Sequence, residues 1–369
     1  MKLAVPLLAF AFAVPLAMAA EPDRAGDYQW NLPKGFPKPY VPADNPMTAA
    51  KVELGRYLFY DARMSVNGKE SCSTCHKQEL AFTDGRAVGQ GSTGELHSRS
   101  AMSLVNVAYS GALTWSNPEL KSLEKQALTP MFGQHPVELG LREGDSFLPM
   151  LRADAKYRLL FERAFPTDSD RFTVLNVTKA LASFERSIIS ARSPYDRYHY
   201  GGDDSAVSDS AKRGEILFFN QHLACFRCHG GFAFTDATVS ERSAGQPVEF
   251  HNTGLYNLAG LLSYPEPNVG IFEYTKQPGD VGKFKAPTLR NIALTAPYMH
   301  DGSIPNLEGV LDHYAAGGRA HDNPNKDALV GGFVLSAQDR QDLIAFLNSL
   351  TDDAVIHDPN FRNPWPGSP

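Results

Sequence analysis

The sequence predicts an all-α fold: two copies of one small helical unit, joined end to end and carrying long loops. Three observations predict it. Short segments recur in the second half in the order they have in the first. The periodic stretches repeat with the helical spacing, and strand-like alternation is scarce. The length of 369 residues suits two domains of ordinary size.

The first element is an export signal. Lys2 precedes an apolar run from Leu3 to Met18, and Ala17-Met18-Ala19 fits a signal-peptidase site, so residues 1–20 read as a signal peptide. The run is short and broken by Pro6 and Pro15, which disfavours a retained membrane anchor. No cysteine stands near the cleavage point for a lipid. The net charge is −6, with no long basic run, which argues against a nucleic-acid partner. The expectation is an exported chain acting on small molecules or a protein.

Each unit opens on a short amphipathic helix. "LGRYLFYD" (Leu54–Asp61) and "RGEILFFN" (Arg213–Asn220) align, with Gly55 on Gly214, Leu58 on Leu217 and Phe59 on Phe218. Next come Cys72-Ser73-Thr74-Cys75-His76 and Cys225-Phe226-Arg227-Cys228-His229. This C-x-x-C-H pattern attaches c-type haem: two thiols add across the vinyl groups, and the next residue places an imidazole on the iron. Zinc ribbons would set the two pairs roughly 15–20 residues apart, and a redox dithiol does not require the histidine. Two disulfides are the other reading of four cysteines in an exported chain, and the spacing opposes it. The units are therefore two cytochrome c-like haem domains, residues 21–200 and 201–369 with the tail. The boundary lies near the Gly-, Asp- and Ser-rich "SPYDRYHYGGDDSAVS" (Ser193–Ser208).

The later elements also pair. Phe82-Thr83-Asp84 matches Phe234-Thr235-Asp236, and "AMSLVNVA" (Ala101–Ala108) matches "APTLRNIA" (Ala286–Ala293). "TVLNVTKALASFERSII" puts Val174, Val177, Leu181, Phe184 and Ile188 on one helix face. "SAQDRQDLIAFLNSL" opens with Ser336 and Asp339 as a capping box. Two segments sharing a Leu-Glu pair complete the repeat: "SLEKQALTPMFG" (Ser122–Gly133) and "NLEGVLDHYAAGG" (Asn306–Gly318).

These last segments bear on the irons, each of which keeps one axial position after its proximal histidine. Seven residues beyond the shared leucine the first copy has Pro130, which has no side-chain donor, and the second has Tyr314, whose phenolate can bind iron. One open and one closed haem follow. His313 and Met299 are rivals for the closing ligand, with His321 a weaker one, and a plain core tyrosine is the bland alternative. Peroxide cleavage at the open iron needs a base to move a proton between the two oxygens. Glu138, in "GQHPVELG", and Gln126 are candidates, with His135 competing. Their bland readings are a surface carboxylate and helix-face polar residues, and His97 reads as a loop hydrogen-bonder. Trp115 lies at the register position of His300, as a stepping stone between haems or a packing residue.

At these residues the chain resembles the bacterial di-haem cytochrome c peroxidase and MauG superfamily over nearly all its mature length. The resemblance rests on both C-x-x-C-H motifs, on "LEKQALTP" followed by "VELG", and on "APTLRNIALTAPYMHDGSIPNLE". It is closest to the MbnH-like, methanobactin-associated branch. It implies the di-haem cytochrome c peroxidase fold, two covalent c-type haems, periplasmic location and hydrogen peroxide as substrate. It implies a peroxidatic haem on Cys72, Cys75 and His76, with Gln126, Pro130 and Glu138 on its distal side and Trp115 between the haems. It implies that Tyr314, where ordinary members carry methionine, ligates the haem on Cys225, Cys228 and His229. It implies calcium at Ser100, Thr295 and Pro297, although Ser100 stands where asparagine is usual. The activity implied is peroxide-dependent oxidation of a partner protein, most simply at a tryptophan of an MbnP-like copper-binding protein. The alternatives are a peroxidase fed by a small cytochrome or cupredoxin, and a di-haem electron carrier. MauG passes holes through a surface tryptophan two residues before the second cysteine pair, where this chain has Leu223. Tyr256, Tyr264, Tyr274 and Trp365 are other exits.

Overall fold

A computed structural model describes residues 28–142, 144 and 147–366; the signal peptide expected over residues 1–20 lies outside them. The described residues form helices and loops with isolated β-bridges and no strand, so the protein is all-α. None of their helices is long and apolar enough to cross a membrane.

Each half is organised by two helices that cross at a glycine. In the first, α1 (Ala49–Phe59) starts where the Thr48 hydroxyl accepts the Lys51 N–H. It buries Leu54, Leu58 and Phe59. Much further along, after the one-turn α2 (Cys72–Cys75), the short α3 (Leu123–Gln126) and α4 (Leu128–Phe132), and α5 (Phe147–Ala153) and α6 (Ala155–Ala164), comes α7 (Val174–Ser187). It is capped by Thr173. Its buried face carries Val177, Leu181 and Phe184, as its periodicity predicts, and Ile188 follows as its buried C-cap. A Cβ on Gly55 would stand 2.0 Å from the Ala180 carbonyl oxygen, so only glycine lets α1 and α7 approach this closely.

The second half repeats the arrangement. After α8 (Pro194–His199), α9 (Asp209–Phe218) is capped by Ser208. Beyond α10 (Phe272–Thr275) and α11 (Leu307–Ala315), α12 (Ala337–Ser349) opens on the expected Ser336–Asp339 capping box. A Cβ on Gly214 would lie 1.9 Å from the Asp342 carbonyl oxygen. The glycine shared by the two repeats is thus the crossing point of one helix pair used twice. Apolar cores form around each pair: Leu54, Leu58, Phe82 and Phe184 in the first, Phe218, Phe234, Leu343 and Phe346 in the second.

Two segments sit differently from the sequence reading. The stretch from Ser193, read as a linker, begins as the capped helix α8. Its Tyr195 lies in the second core, and its Asp196 carboxylate accepts two hydrogen bonds of 2.9 Å from the buried Arg290 guanidinium. The tail, counted with the second half, crosses back. Val355 of α13 (Asp353–His357) and Phe361 join the first core, and Gln78 Nε2 donates to the carbonyls of Val355 and Asp358.

The halves meet through reciprocal hydrogen bonds from matched positions. Ser100 N–H donates to the His300 carbonyl and Lys285 N–H to the Trp115 carbonyl, both at 2.9 Å. Asn106 and Asn291, also matched, are both left-handed, at φ 58 and 59. Asparagine tolerates that region better than most side chains. Each then bonds Ser190: Asn106 Oδ1 accepts its N–H, and Asn291 Nδ2 donates to its hydroxyl.

Two candidate haem centres

The two C-x-x-C-H motifs fold alike. Each makes a single turn that returns the histidine N–H to the first cysteine's carbonyl, His76 to Cys72 at 3.1 Å and His229 to Cys225 at 3.0 Å. None of the four cysteines is in a disulfide. The matched phenylalanines are left-handed, Phe82 at φ 62 and Phe234 at φ 51. That turn aims each carbonyl at the imidazole: His76 Nδ1 to Phe82 O is 2.9 Å, and His229 Nδ1 to Phe234 O is 3.2 Å. A carbonyl partner fixes Nδ1 as the donor and leaves Nε2 as the lone-pair nitrogen for a metal. Burial lowers the pKa of both histidines, which favours the neutral, ligating form.

On the first centre, Pro130 lies in α4. Its carbonyl accepts the Leu139 N–H at 2.9 Å, and Met131 O accepts Leu141 N–H, so residues 137–141 run beside α4. Ser92 N–H clamps the Glu138 carbonyl at 2.8 Å. A Cβ on Gly91 would fall 1.7 Å from Val137 O, so the loop closes on this segment only with glycine there. Glu138 is brought within electrostatic reach of Cys72 and Cys75. Protein crowds its carboxyl, and this burial pushes its pKa up to about 7. His97 Nε2 lies 3.7 Å from its Oε1, and burial lowers the His97 pKa, so a neutral imidazole faces the proposed base. Gln126 ends α3, half-buried, and its side-chain amide makes no hydrogen bond among the described residues. His135 is exposed. The sequence reading missed Glu185 on α7, fully enclosed near Cys72, its carboxyl pushed up to about 8 by burial and its Oε2 unpaired.

The second centre is an apolar cavity lined by Cys225, Cys228, His229, Leu223, Met299 and Tyr314. Burial, then the sulfurs of Cys228 and Cys225, push the Tyr314 phenol upward, so it lies close to both cysteines. His313 turns away and shares Nε2 with the Thr253 carbonyl at 3.0 Å. Met299 lines this cavity and also the one between the halves. His321 is exposed, and Leu223 is buried. His300, also in the lining, leaves Nε2 without a protein partner, a buried atom that a polar group of a ligand would satisfy. The cavity, its cysteines and its oriented histidine fit a covalent haem. His251, also missed, is held between two carboxylates, 2.6 Å from Asp236 and 2.9 Å from Asp327. Asp236 first, then Cys228, raise its pKa to about 11, so it is an imidazolium tying the loop after the second motif to residue 327. Its ring, Asp236 and Cys228 Sγ lie within 4.8 Å of one another, and the imidazole is engaged by its two carboxylates.

Trp115 lies between the centres. It lines both the second cavity and the one between the halves, and its Nε1–H donates to the Ser100 carbonyl at 2.9 Å. Ser100, Thr295 and Pro297 line that middle cavity together, as does the buried Lys285, whose ammonium donates to the Ser110 hydroxyl at 3.1 Å.

Two helical units, each with an oriented C-x-x-C-H histidine, define a di-haem c-type cytochrome. The description "Di-haem cytochrome c peroxidase" matches residues 49–205, and a RoxA-like, cytochrome c-like description matches 283–316. The chain is 35% identical to the methylamine utilization protein MauG of Methylorubrum extorquens, over 92% of this chain and 88% of that protein. It is 33% identical to cytochrome-c peroxidase IdrP1 of a Pseudomonas species, over 86% and 85%. A solved structure of a MauG-like protein associated with microbial copper homeostasis superposes with a TM-score of 0.88 at 45% identity, covering 92% of this chain and 99% of that one. The chain belongs to the di-haem cytochrome c peroxidase and MauG family, and it is a di-haem peroxidase-type oxidoreductase that acts on hydrogen peroxide.

Proposed function

We propose that the protein is a periplasmic, MauG-like enzyme that uses hydrogen peroxide to oxidise a residue of a partner protein, most simply a tryptophan of an MbnP-like copper-binding protein. The observation that carries the reading is Tyr314, whose half-buried side chain lines the second cavity beside Cys225 and Cys228, where the first half has Pro130. Peroxide would be handled at the first centre and oxidising equivalents shared with a second one that Tyr314 closes. An anionic oxygen ligand favours the higher oxidation states of iron, which suits withdrawing electrons from a protein. Cys72, Cys75 and His76 would hold one haem, and Cys225, Cys228, His229 and Tyr314 the other; bound there, the haems supply the redox chemistry. Pro130 would offer no side-chain ligand to the first haem, and Gln126 would offer a hydrogen-bond donor to peroxide. Glu138 moves the proton between the peroxide oxygens, and Trp115 bridges the centres.

The pKa of Glu138 fixes a pH dependence. A carboxyl raised to about 7 is mostly protonated below that pH and becomes a base above it. The stopped-flow rate of the diferric enzyme with peroxide should therefore rise with pH through about 7. Glu138→Gln should flatten the profile and slow the reaction by about 10²–10⁴-fold. A wild-type profile in the variant would remove Glu138 from the role.

The test of the function is to mix holoenzyme, peroxide and the copper-binding protein, then weigh the latter. A mass change without pre-reduction of the enzyme is expected. An unchanged mass, with turnover requiring a reduced cytochrome, would favour the peroxide-reducing alternative. Calcium at Ser100, Thr295 and Pro297 belongs to the same proposal. A hard cation prefers oxygen ligands, and the three residues line one cavity with hydroxyl and carbonyl oxygens to offer. The ammonium of Lys285 in that lining makes the binding weak, so dialysis against a mild chelator should strip the ion; its retention would contradict this.

A further inference from the structure

A line of aromatic rings runs from between the haem centres to the surface. Trp115 packs against a small cluster of Tyr264, Val269 and Phe284. Tyr264 is buried, and its ring meets that of Tyr256 edge-on with centroids 5.3 Å apart. The Tyr256 hydroxyl donates to Asp301 Oδ2 at 2.5 Å. Directly after Tyr256 the chain makes a tight loop, closed by a parallel bridge: Asn257 N–H to Leu262 O at 2.8 Å and Tyr264 N–H to Asn257 O at 3.2 Å. Its tip presents two adjacent leucines to solvent, Leu261 at 90% and Leu262 at 74% exposure. Leu262 also sits at φ 58, a region that a bulky residue rarely adopts. Two adjacent exposed leucines give this tip an apolar contact surface.

We propose that Tyr256, with Asp301 as its proton acceptor, is a redox-active residue through which electrons leave the protein substrate, and that the substrate docks on the Leu261–Leu262 tip. The proposal rests on the protein-oxidising function above and supplies its exit route. The oxidant is the peroxide-oxidised haem pair. In each passage Tyr256 gives one electron inward, by way of Tyr264 and Trp115, and its phenolic proton to Asp301. The substrate then returns one electron to Tyr256, and the proton comes back from Asp301. Two passages match the two electrons taken up by one hydrogen peroxide, and two protons from the substrate complete the two waters formed. Burial first, and the hydrogen bond to Asp301 next, push the Tyr256 phenol up to about 12. It is therefore protonated at neutral pH, and its oxidation must be coupled to proton release. Proximity to a ready acceptor is what makes that coupled loss feasible. The occupant of the tip is argued from the ring line ending beneath it: a substrate seated there places its own aromatic side chain next to Tyr256.

The experiment is freeze-quench EPR of the holoenzyme with one equivalent of peroxide and no partner, with ordinary and ring-deuterated tyrosine. A tyrosyl signal that narrows on deuteration and vanishes in Tyr256→Phe is expected. No tyrosyl signal, or the same signal in Tyr256→Phe, would overturn the proposal. A second arm adds the copper-binding protein. Tyr256→Phe and Asp301→Asn should slow its oxidation by about tenfold or more without changing its affinity. Leu261→Ser with Leu262→Ser should weaken its binding by about tenfold while leaving the radical intact. Unchanged oxidation in Tyr256→Phe refutes the route, and unchanged binding in the leucine pair refutes the docking site. If the wild-type enzyme leaves the copper-binding protein unmodified, the protein-oxidising function fails instead, and the partner-free spectrum still decides the radical.

Discussion

Tyr314→Phe should change the low-spin ferric EPR signal of the second centre and lower peroxide-dependent oxidation of the partner by about a hundredfold or more, roughly 2.7 kcal/mol of transition-state stabilisation. The phenol lies in the cavity with His229 and both attachment sulfurs, and the substitution removes only its oxygen. Packing is preserved, so stability should hardly move, which separates loss of a ligand from loss of a core ring. Tyr314→Met is the sharper variant, because a thioether restores ligation while favouring ferrous iron. It should move the protein towards a peroxidase that draws on an electron donor. An unaltered low-spin signal in Tyr314→Phe would transfer the ligand role to Met299, which lines the same cavity. His313 is the weaker rival, since its Nε2 is already engaged by Thr253.

Asp196→Ala should cost about 3–5 kcal/mol of stability, because it strands a buried charge. The Arg290 guanidinium is fully enclosed, bonded to both Asp196 oxygens and to the Phe232 carbonyl, and it lies over the Phe36 ring at 4.7 Å. Out of the roughly 5–15 kcal/mol of a typical domain this is a large share. Chemical denaturation of the holoprotein, followed by far-UV circular dichroism, should show the midpoint falling sharply. Asp196→Ala combined with Arg290→Met should recover much of the loss, since no charge is then left unpaired. A double variant no better than the single one would mean that Arg290 matters for packing rather than for its charge.

Much of the haem chemistry was legible in the sequence because it is local. A C-x-x-C-H motif carries its own turn, and the left-handed Phe82 and Phe234 complete it within six residues. Helix periodicity and caps act over a few residues, so α7 and the Ser336–Asp339 box appear as expected. Matched glycines at 55 and 214 already marked something shared, and the helix crossings give the reason.

What the sequence left open depends on residues far apart in the chain. The tail from Val355 to Phe361 looked like an appendix to the second half, yet its apolar side chains fill the first core. His97 read as a loop residue until the fold placed it 3.7 Å from Glu138. No spacing rule could pair His251 with Asp236 and Asp327, or Tyr256 with Asp301, because each pair is joined by loops with no period. The same holds for Trp115, which matches His300 in register but lies between the cavities only because Ser100 and Lys285 bond reciprocally across the two halves. By itself the sequence determined the helical class, the duplicated unit, the two C-x-x-C-H motifs and the contrast of Pro130 with Tyr314. Only the tertiary structure decided which charges share a proton, which rings line up and where they reach the surface. Covalent spacing and helical period are written in neighbouring residues, whereas burial and electrostatic pairing arise only when distant loops pack.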